Sequence, residues 1–284
     1  MKIAGLTILF NPDADVFANI QSYAKTLDTV YVVDNSDLHK NEIIKKITAD
    51  KKIRFISNNG NNGVAHALNV GCALAKSDGF DWLLTMDQDS SFSEPMLTAY
   101  LHCFENYIDR SIVAIFSPLQ TSPANFNEPT KSDCQSSEQT ILMTSGNLLN
   151  LELFEKIGRF EEKLFIDEVD HDYCLRATLY DFKLIRFDNI FMKHQLGQQK
   201  KIAAFFESRT VNTPAPERLY YIARNNLYIS VKYCSNFPEL CINRLFSLAK
   251  LIAFSIAFDD RKFLRLYFFS KGLFHFTIGR FGKL

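Results

Sequence analysis

The sequence predicts an α/β fold: a mostly parallel sheet flanked by helices, followed by a C-terminal helical extension. Three observations carry this. Over the first hundred residues, short apolar runs alternate with segments of helical spacing, a rhythm that builds parallel strands covered on both faces. The early runs end in Asn, Asp, Gly or Ser clusters, the residues that turn a chain. Beyond about residue 200 the chain changes to aromatic-rich helical segments interleaved with Lys and Arg.

The elements follow in order. Residues 3–10 form an apolar run that stops at Asn11-Pro12. It lacks the length and cleavage site of a secretory signal, so it reads as a buried strand. Residues 16–26 put Phe17, Ile20 and Ala24 on one helical face. Strands over 29–33 and 53–56 flank a short helix over 43–47. After the loop Gly60-Asn61-Asn62-Gly63 comes a helix over 64–75, and then a fourth strand over 82–86. Next are a strand over 111–119, a polar surface loop over 120–139, a strand over 141–149 and a short helix over 151–157. A helix over 165–179 gathers acids near its start, where the helix dipole favours them. Residues 184–187 are strand-like, and helices cover 218–233 and 243–258.

Composition narrows the function. Lys+Arg and Asp+Glu balance at 32 each, without the basic excess of a nucleic-acid-binding domain. Six cysteines without a C-x-x-C pair support neither a zinc ribbon nor a redox motif, and reduced thiols in a cytoplasmic protein are expected. The apolar stretch 245–258 is interrupted by Lys250 and reads as too short to span a bilayer, which takes about 20 apolar residues. Two readings of the tail stay open. Its helices pack on the sheet or on a second copy as a homodimer, or they lie peripherally on a membrane surface.

Five segments can carry chemistry. Asp87 and Asp89 follow the fourth strand, at the carboxyl edge where open α/β sheets bind ligands. Two carboxylates one residue apart suit a hard divalent cation bridging a diphosphate. Asp34 ends the second strand, placed to accept hydrogen bonds from a nucleotide or to cap a turn. The stretch 58–71 leads glycines and asparagines, Asn62 among them, into a helix, so that backbone N–H groups can approach a ligand. It is neither a Walker A loop nor a G-x-G-x-x-G motif. Asp167, Glu168, Asp170 and Asp172 crowd six residues; on a helix Asp167 and Asp170 share a face, and one of these carboxylates can act as a general base. His194 follows the strand near Ile190 and can offer an imidazole to the same metal.

In this order the segments resemble family 2 glycosyltransferases of the GT-A type, and within them the bacterial rhamnosyltransferase-like branch. The resemblance spans about residues 3–230. It rests on Val32-Val33-Asp34-Asn35-Ser36, the stretch 58–71, Met86-Asp87-Gln88-Asp89-Ser90, Thr144-Ser145-Gly146-Asn147, the segment 165–176, the segment 194–197, and Tyr220-Tyr221-Ile222-Ala223-Arg224-Asn225. With the change of character near residue 200, the chain divides into a catalytic domain over 1–205, nucleotide-sugar-binding by the resemblance, and a helical extension over 206–284. The resemblance implies that Asp34, Asn62 and Asp87 bind the nucleotide sugar, and that Asp89 and His194 hold Mg²⁺ or Mn²⁺. Asp170 is then the general base. Val169 stands where the family carries an acid, which keeps Asp167 as the alternative base.

The implied reaction is inverting transfer of a sugar to a hydroxyl of a glycan or lipid-linked saccharide in bacterial surface polysaccharide synthesis. The donor is a dTDP- or UDP-sugar, with dTDP-rhamnose favoured. Two other classes remain. A sugar-nucleotide nucleotidyltransferase needs a Gly-rich, basic N-terminal loop, which residues 11–15 do not provide; a catalytically inactive glycan-binding or scaffold protein would neither hydrolyse nor transfer a donor.

Overall fold

The computed structural model describes residues 1–37, 41–121, 134–194, 199–204, 207–212, 214–258 and 261–284. The chain forms two compact units, one of Met1–Glu162 with Asp170–Gln195, the other of Lys163–Val169 with Leu196–Leu284.

The first unit opens with the expected alternation: β1 (Ile3–Leu9), α1 (Val16–Ala24), β2 (Thr29–Asp34), α2 (Asn41–Thr48), β3 (Ile53–Ser57), α3 (Val64–Ser77) and β4 (Trp82–Asp87). These strands pair in parallel in the order β3-β2-β1-β4. The register matters for function. Leu9 pairs with Asp34 and Ile8 with Asp87, so both acids emerge at the same carboxyl edge, one on either side of β1. Helix α3 comes close over β1 because residue 71 is glycine. A Cβ there would lie 2.4 Å from the Leu6 side chain, well inside van der Waals contact.

The rest of this sheet runs in both directions. After β5 (Ser90–Ser91), α4 (Glu94–Asn106), β6 (Val113–Thr121), β7 (Ser136–Glu138), β8 (Asn147–Asn150), α5 (Leu151–Ile157) and α6 (Val169–Leu179) comes the long β9 (Lys183–His194). The full order is β3-β2-β1-β4-β8-β6-β9-β5, with β7 also on β9. Strand β8 is antiparallel to both β4 and β6, while β6 and β9 are parallel. Trp82, Phe104, Phe116 and Phe187 are all buried in the core beneath this half. Gly146, at a φ of +86°, makes the turn into β8. A side chain there would collide with Pro118 and Met192.

Several local expectations are corrected. The strand expected over 141–149 is confined to Asn147–Asn150. The strand expected over 184–187 runs on to His194, past Asp188 and Asn189, through a register shift in which Pro118 pairs with Phe187 and Leu119 with Phe191. Reduced thiols were expected throughout, but Cys103 and Cys134 form a disulfide across a sequence separation of 31, while the other four cysteines are free. Only the tertiary path could reveal such a distant pair. The polar loop expected over 120–139 falls mostly on residues 122–133, outside the described residues.

The second unit holds the hairpin β10 (Gln199–Ala204) and β11 (Glu207–Asn212), then α7 (Pro216–Tyr233), α8 (Pro238–Phe258) and α9 (Lys262–Thr277). Helices α7 and α9 cross closely at Gly272, where a Cβ would meet the Tyr220 carbonyl at 2.4 Å. Arg224, fully buried, donates to the Leu164 and Gly282 carbonyls, the Tyr220 hydroxyl and Asn225 Oδ1. The helix expected over 165–179 begins only at Val169, because Phe165, Asp167 and Glu168 take left-handed φ values of 67°, 61° and 70°. Non-glycine residues rarely adopt that region. Asn225 holds the turn by donating to the carbonyls of Leu164, Ile166 and Asp167. The apolar stretch expected to be too short for a bilayer belongs to α8, whose 21 residues are long and apolar enough to cross one by length and composition.

Candidate active site

The strand ends build the site. Side chains two apart on a strand share a face, so Thr85, buried in β4, and Asp87 point the same way. Beyond them the turn Gln88-Asp89 is clamped to the neighbouring strand. Gln88 accepts from the Phe10 N–H (2.9 Å) and donates to the Phe10 carbonyl (3.2 Å), while its own carbonyl accepts from the Asn19 amide (2.9 Å).

His194 reaches this turn through strand pairing. Ser90 in β5 lies opposite His194 at the end of β9, which brings together residues 104 apart in sequence. His194 Nδ1 lies 2.7 Å from Ser90 Oγ and 3.5 Å from Asp89 Oδ1. Ser145 closes the chain of contacts: its Oγ accepts from the Asp87 N–H (2.9 Å) and donates to Ser90 Oγ (2.9 Å). Such secondary contacts orient ligating side chains.

Asp87, Asp89 and His194 each offer a ligand atom within 4.8 Å of the others. Asp89 is 41% exposed and the His194 ring 12%, so the group opens to solvent on one side. Two carboxylates and one imidazole form an oxygen-rich set that fits Mg²⁺ or Mn²⁺ better than a thiolate-seeking metal. The charge of Asp87 is felt nearby. Burial raises the Tyr23 phenol above its usual value, a hydrogen bond with Thr7 opposes this, and Asp87 adds to the rise.

Asp34 is buried, and its Oδ1 accepts from the Ser36 N–H (2.9 Å). Its neighbour Asn35, which has no role of its own in the sequence reading, is a hub. The Asn35 amide donates to the Gly63 carbonyl (2.9 Å), and its Oδ1 accepts from Asn58 (2.7 Å), tying β2 to the glycine–asparagine loop. Asn62 is exposed on that loop and donates to the Asn58 carbonyl (2.9 Å).

Asp170, in the first turn of α6, accepts from the His171 N–H through Oδ1 (2.9 Å). It lines a cavity of about 10 Å³ together with Thr85, Thr144, Asn147 and Tyr173. Asp170 thus borders a cavity whose wall includes the same strand face that carries Asp87. Two positions on, Asp172 is fully buried and paired with Arg176 (2.9 Å). Arg176 also donates to the carbonyls of Ile157, Gly158 and Arg159, which gives it a structural place. Asp167 and Glu168 do not share a helical face with Asp170 and Asp172, because they precede the helix. Asp167 pairs with Arg218 (2.7 Å) and Glu168 with Arg244.

The chain is similar to known proteins of one family. The family model described as Glycosyl transferase family 2 matches residues 14–186. The chain is 28% identical over 241 residues to the dTDP-rhamnosyl transferase RfbF of Shigella flexneri, covering 79% of this chain and 78% of that protein. Among solved structures, TarS 1–349 of S. aureus superposes with a TM-score of 0.61 at 15% identity, covering 97% of this chain and 80% of that one. GalNAc-T7, solved with UDP, GalNAc and Mn²⁺, gives 0.56 at 12%, covering 98% and 57%; at such identities the likeness is one of fold. A profile spanning more than half the chain, over strands that deliver their acids to one edge, places this chain in glycosyl transferase family 2, and its activity is glycosyl transfer.

Proposed function

We propose that the chain transfers rhamnose from dTDP-rhamnose, with inversion, to a hydroxyl of a glycan or lipid-linked saccharide in surface polysaccharide synthesis, acting on the cytoplasmic side of the membrane. The observation that carries the reading is the convergence of Asp87, Asp89 and His194 at the carboxyl edge of the sheet. The likeness to a dTDP-rhamnosyl transferase supports the choice of donor.

In this reading Asp34, Asn62 and Asp87 bind the nucleotide sugar, and Asp89 and His194 hold Mg²⁺ or Mn²⁺. A bound cation supplies positive charge against the charge developing on the departing diphosphate. Asp170 accepts the proton of the acceptor hydroxyl. The acceptor oxygen forms its bond to the anomeric carbon as the carbon–oxygen bond to phosphate breaks and dTDP leaves with the electron pair. One base and no enzyme nucleophile make a single displacement, so the configuration inverts; the paired carboxylates of retaining glycosidases do the opposite. Holding both substrates in line supplies much of the acceleration.

The test is a panel of dTDP- and UDP-sugars offered with Mn²⁺ or with EDTA, read first as a rise in melting temperature and then as product configuration by NMR. A rise with dTDP-rhamnose that needs Mn²⁺, and an inverted product, are expected. A UDP-sugar preferred over dTDP-rhamnose would overturn the donor, turnover in EDTA the metal, and a retained configuration the single displacement.

A further inference from the structure

Among the described residues, the second unit leaves an apolar surface uncovered. Along α8 the buried residues are Cys241, Leu248 and Ser255, spaced seven apart, so the helix meets its neighbours α7 and α9 along one narrow stripe. The rest of the helix is not polar, as an exposed helix face in water ordinarily is. Only 17% of its most apolar stretch is buried. Leu245, Phe246, Phe254 and Phe258 are exposed on α8, and Phe263 and Phe274 on α9, with Phe263 at 90% and Phe246 at 64%. Isolated exposed hydrophobics are ordinary, but a run of large ones over two successive helices marks a surface that meets something apolar.

Charge indicates what covers it. From Pro238 onward the sequence has eight Lys and Arg against three Asp and Glu, although the whole chain balances at 32 each; of the eight, Arg244 is paired with Glu168 and Arg265 is buried, which leaves six to face outward. Lys250 on α8, Lys262 on α9 and Arg280 just beyond α9 are exposed on the same two-helix segment as the phenylalanines. Large apolar side chains among exposed lysines and arginines suit the interface of an anionic bilayer, where each basic residue near the surface adds about 1 kcal/mol. The core of a protein–protein interface is depleted of lysine instead. Although α8 has the length to cross a bilayer, its packed stripe and Lys250 at mid-helix favour lying on the surface over spanning it.

We propose that the exposed face of α8 and α9 docks the protein on an anionic phospholipid surface, with Phe246, Phe254 and Phe263 entering the headgroup boundary and Lys250, Lys262 and Arg280 meeting lipid phosphates. The inference stands on the second unit alone and does not depend on the donor, metal or base assigned above.

The experiment is co-sedimentation of the full chain with sucrose-loaded vesicles, without donor or acceptor. Vesicles of phosphatidylglycerol and phosphatidylethanolamine are compared with pure phosphatidylcholine, with a vesicle-free control. The expected result is at least about tenfold more bound protein on the anionic vesicles, weakened by salt as the Debye length falls to about 3 Å at 1 M. Phe246→Ser with Phe254→Ser should abolish binding at an unchanged melting temperature, and Lys250→Glu with Lys262→Glu should remove the preference for anionic lipid. Wild-type protein left in the supernatant, or variants that bind as well as wild type, would overturn the proposal. So would light scattering that shows a dimer which the Phe246→Ser, Phe254→Ser variant splits, for then a second copy covers the face.

Discussion

Two acidic clusters look alike in the sequence and end differently in the structure. Asp87 and Asp89 flank one residue after a buried strand, and the far end of β9 brings them an imidazole. Asp167 and Glu168 sit in a turn of left-handed residues and are met by Arg218 and Arg244. The first cluster gains an imidazole and forms a group that could hold a cation, while the second is met by arginines inside the fold. Local acid density therefore says little about use. What decides is the group that the tertiary path brings opposite.

The sharpest way to break that contrast is Asp89→Ala. Its side chain is 41% exposed, so the melting temperature should hold within about 2 °C. Cation-dependent turnover should fall by about 10⁴, the several kcal/mol that a metal contributes to a transition state. Unimpaired steady-state turnover would remove the cluster from the chemistry.

Asp170→Asn comes next, with an expected loss of about 10³ in transfer, within the range of general-base contributions, while calorimetry still detects donor binding. Asp167→Asn sharpens the comparison. It should cost about 1 kcal/mol of stability, as a half-exposed ion pair does, and much less turnover than Asp170→Asn. Equal losses from the two would show that the second cluster also works in catalysis.

Arg244→Ala probes the matched cluster directly. Both side chains of the Arg244–Glu168 pair are nearly buried, at 12% and 10% exposure. Removing the Arg244 guanidinium from the pair should cost about 3 kcal/mol in urea unfolding, whereas a change below about 0.5 kcal/mol would mean that the turn does not need the pair. Ser90→Ala should weaken Mn²⁺ binding about tenfold by loosening the His194 ring, as read by titration calorimetry.

The smallest expected effect is at Glu162. Burial alone would raise its carboxyl, but hydrogen bonds from Asn69 and His66 outweigh burial and hold it below the usual glutamate value. A depressed carboxyl stabilises the fold above its unfolded pKa, and that contribution disappears as pH falls through the folded value. The stability gap between wild type and Glu162→Gln should therefore close on acidification through the carboxylate range. A gap independent of pH would assign Glu162 a role other than its charge.

How much of this was legible beforehand varies by region. The alternation from β1 to β4 was readable because each strand is a short apolar run bounded by turn residues. The acids at 34 and 87 were readable because they end such runs. The turn at 165–168 was not, because Asn225 and the two arginines that hold it lie some fifty or more residues downstream. The Cys103–Cys134 bond and the Ser90–His194 contact were hidden in the same way.

Residue order alone thus determined the parallel half of the sheet, the acids that stand at its carboxyl edge, and the residue types able to hold a cation. Those features depend on periodicity and turn chemistry within a few residues of chain. Tertiary structure decided which acids meet an imidazole and which are matched by arginine. It also decided that β9 slips its register to carry His194 to β5, and which helix faces stay uncovered. The reason is that a contact between distant residues depends on strand order, register and chain path, which no short window of sequence contains.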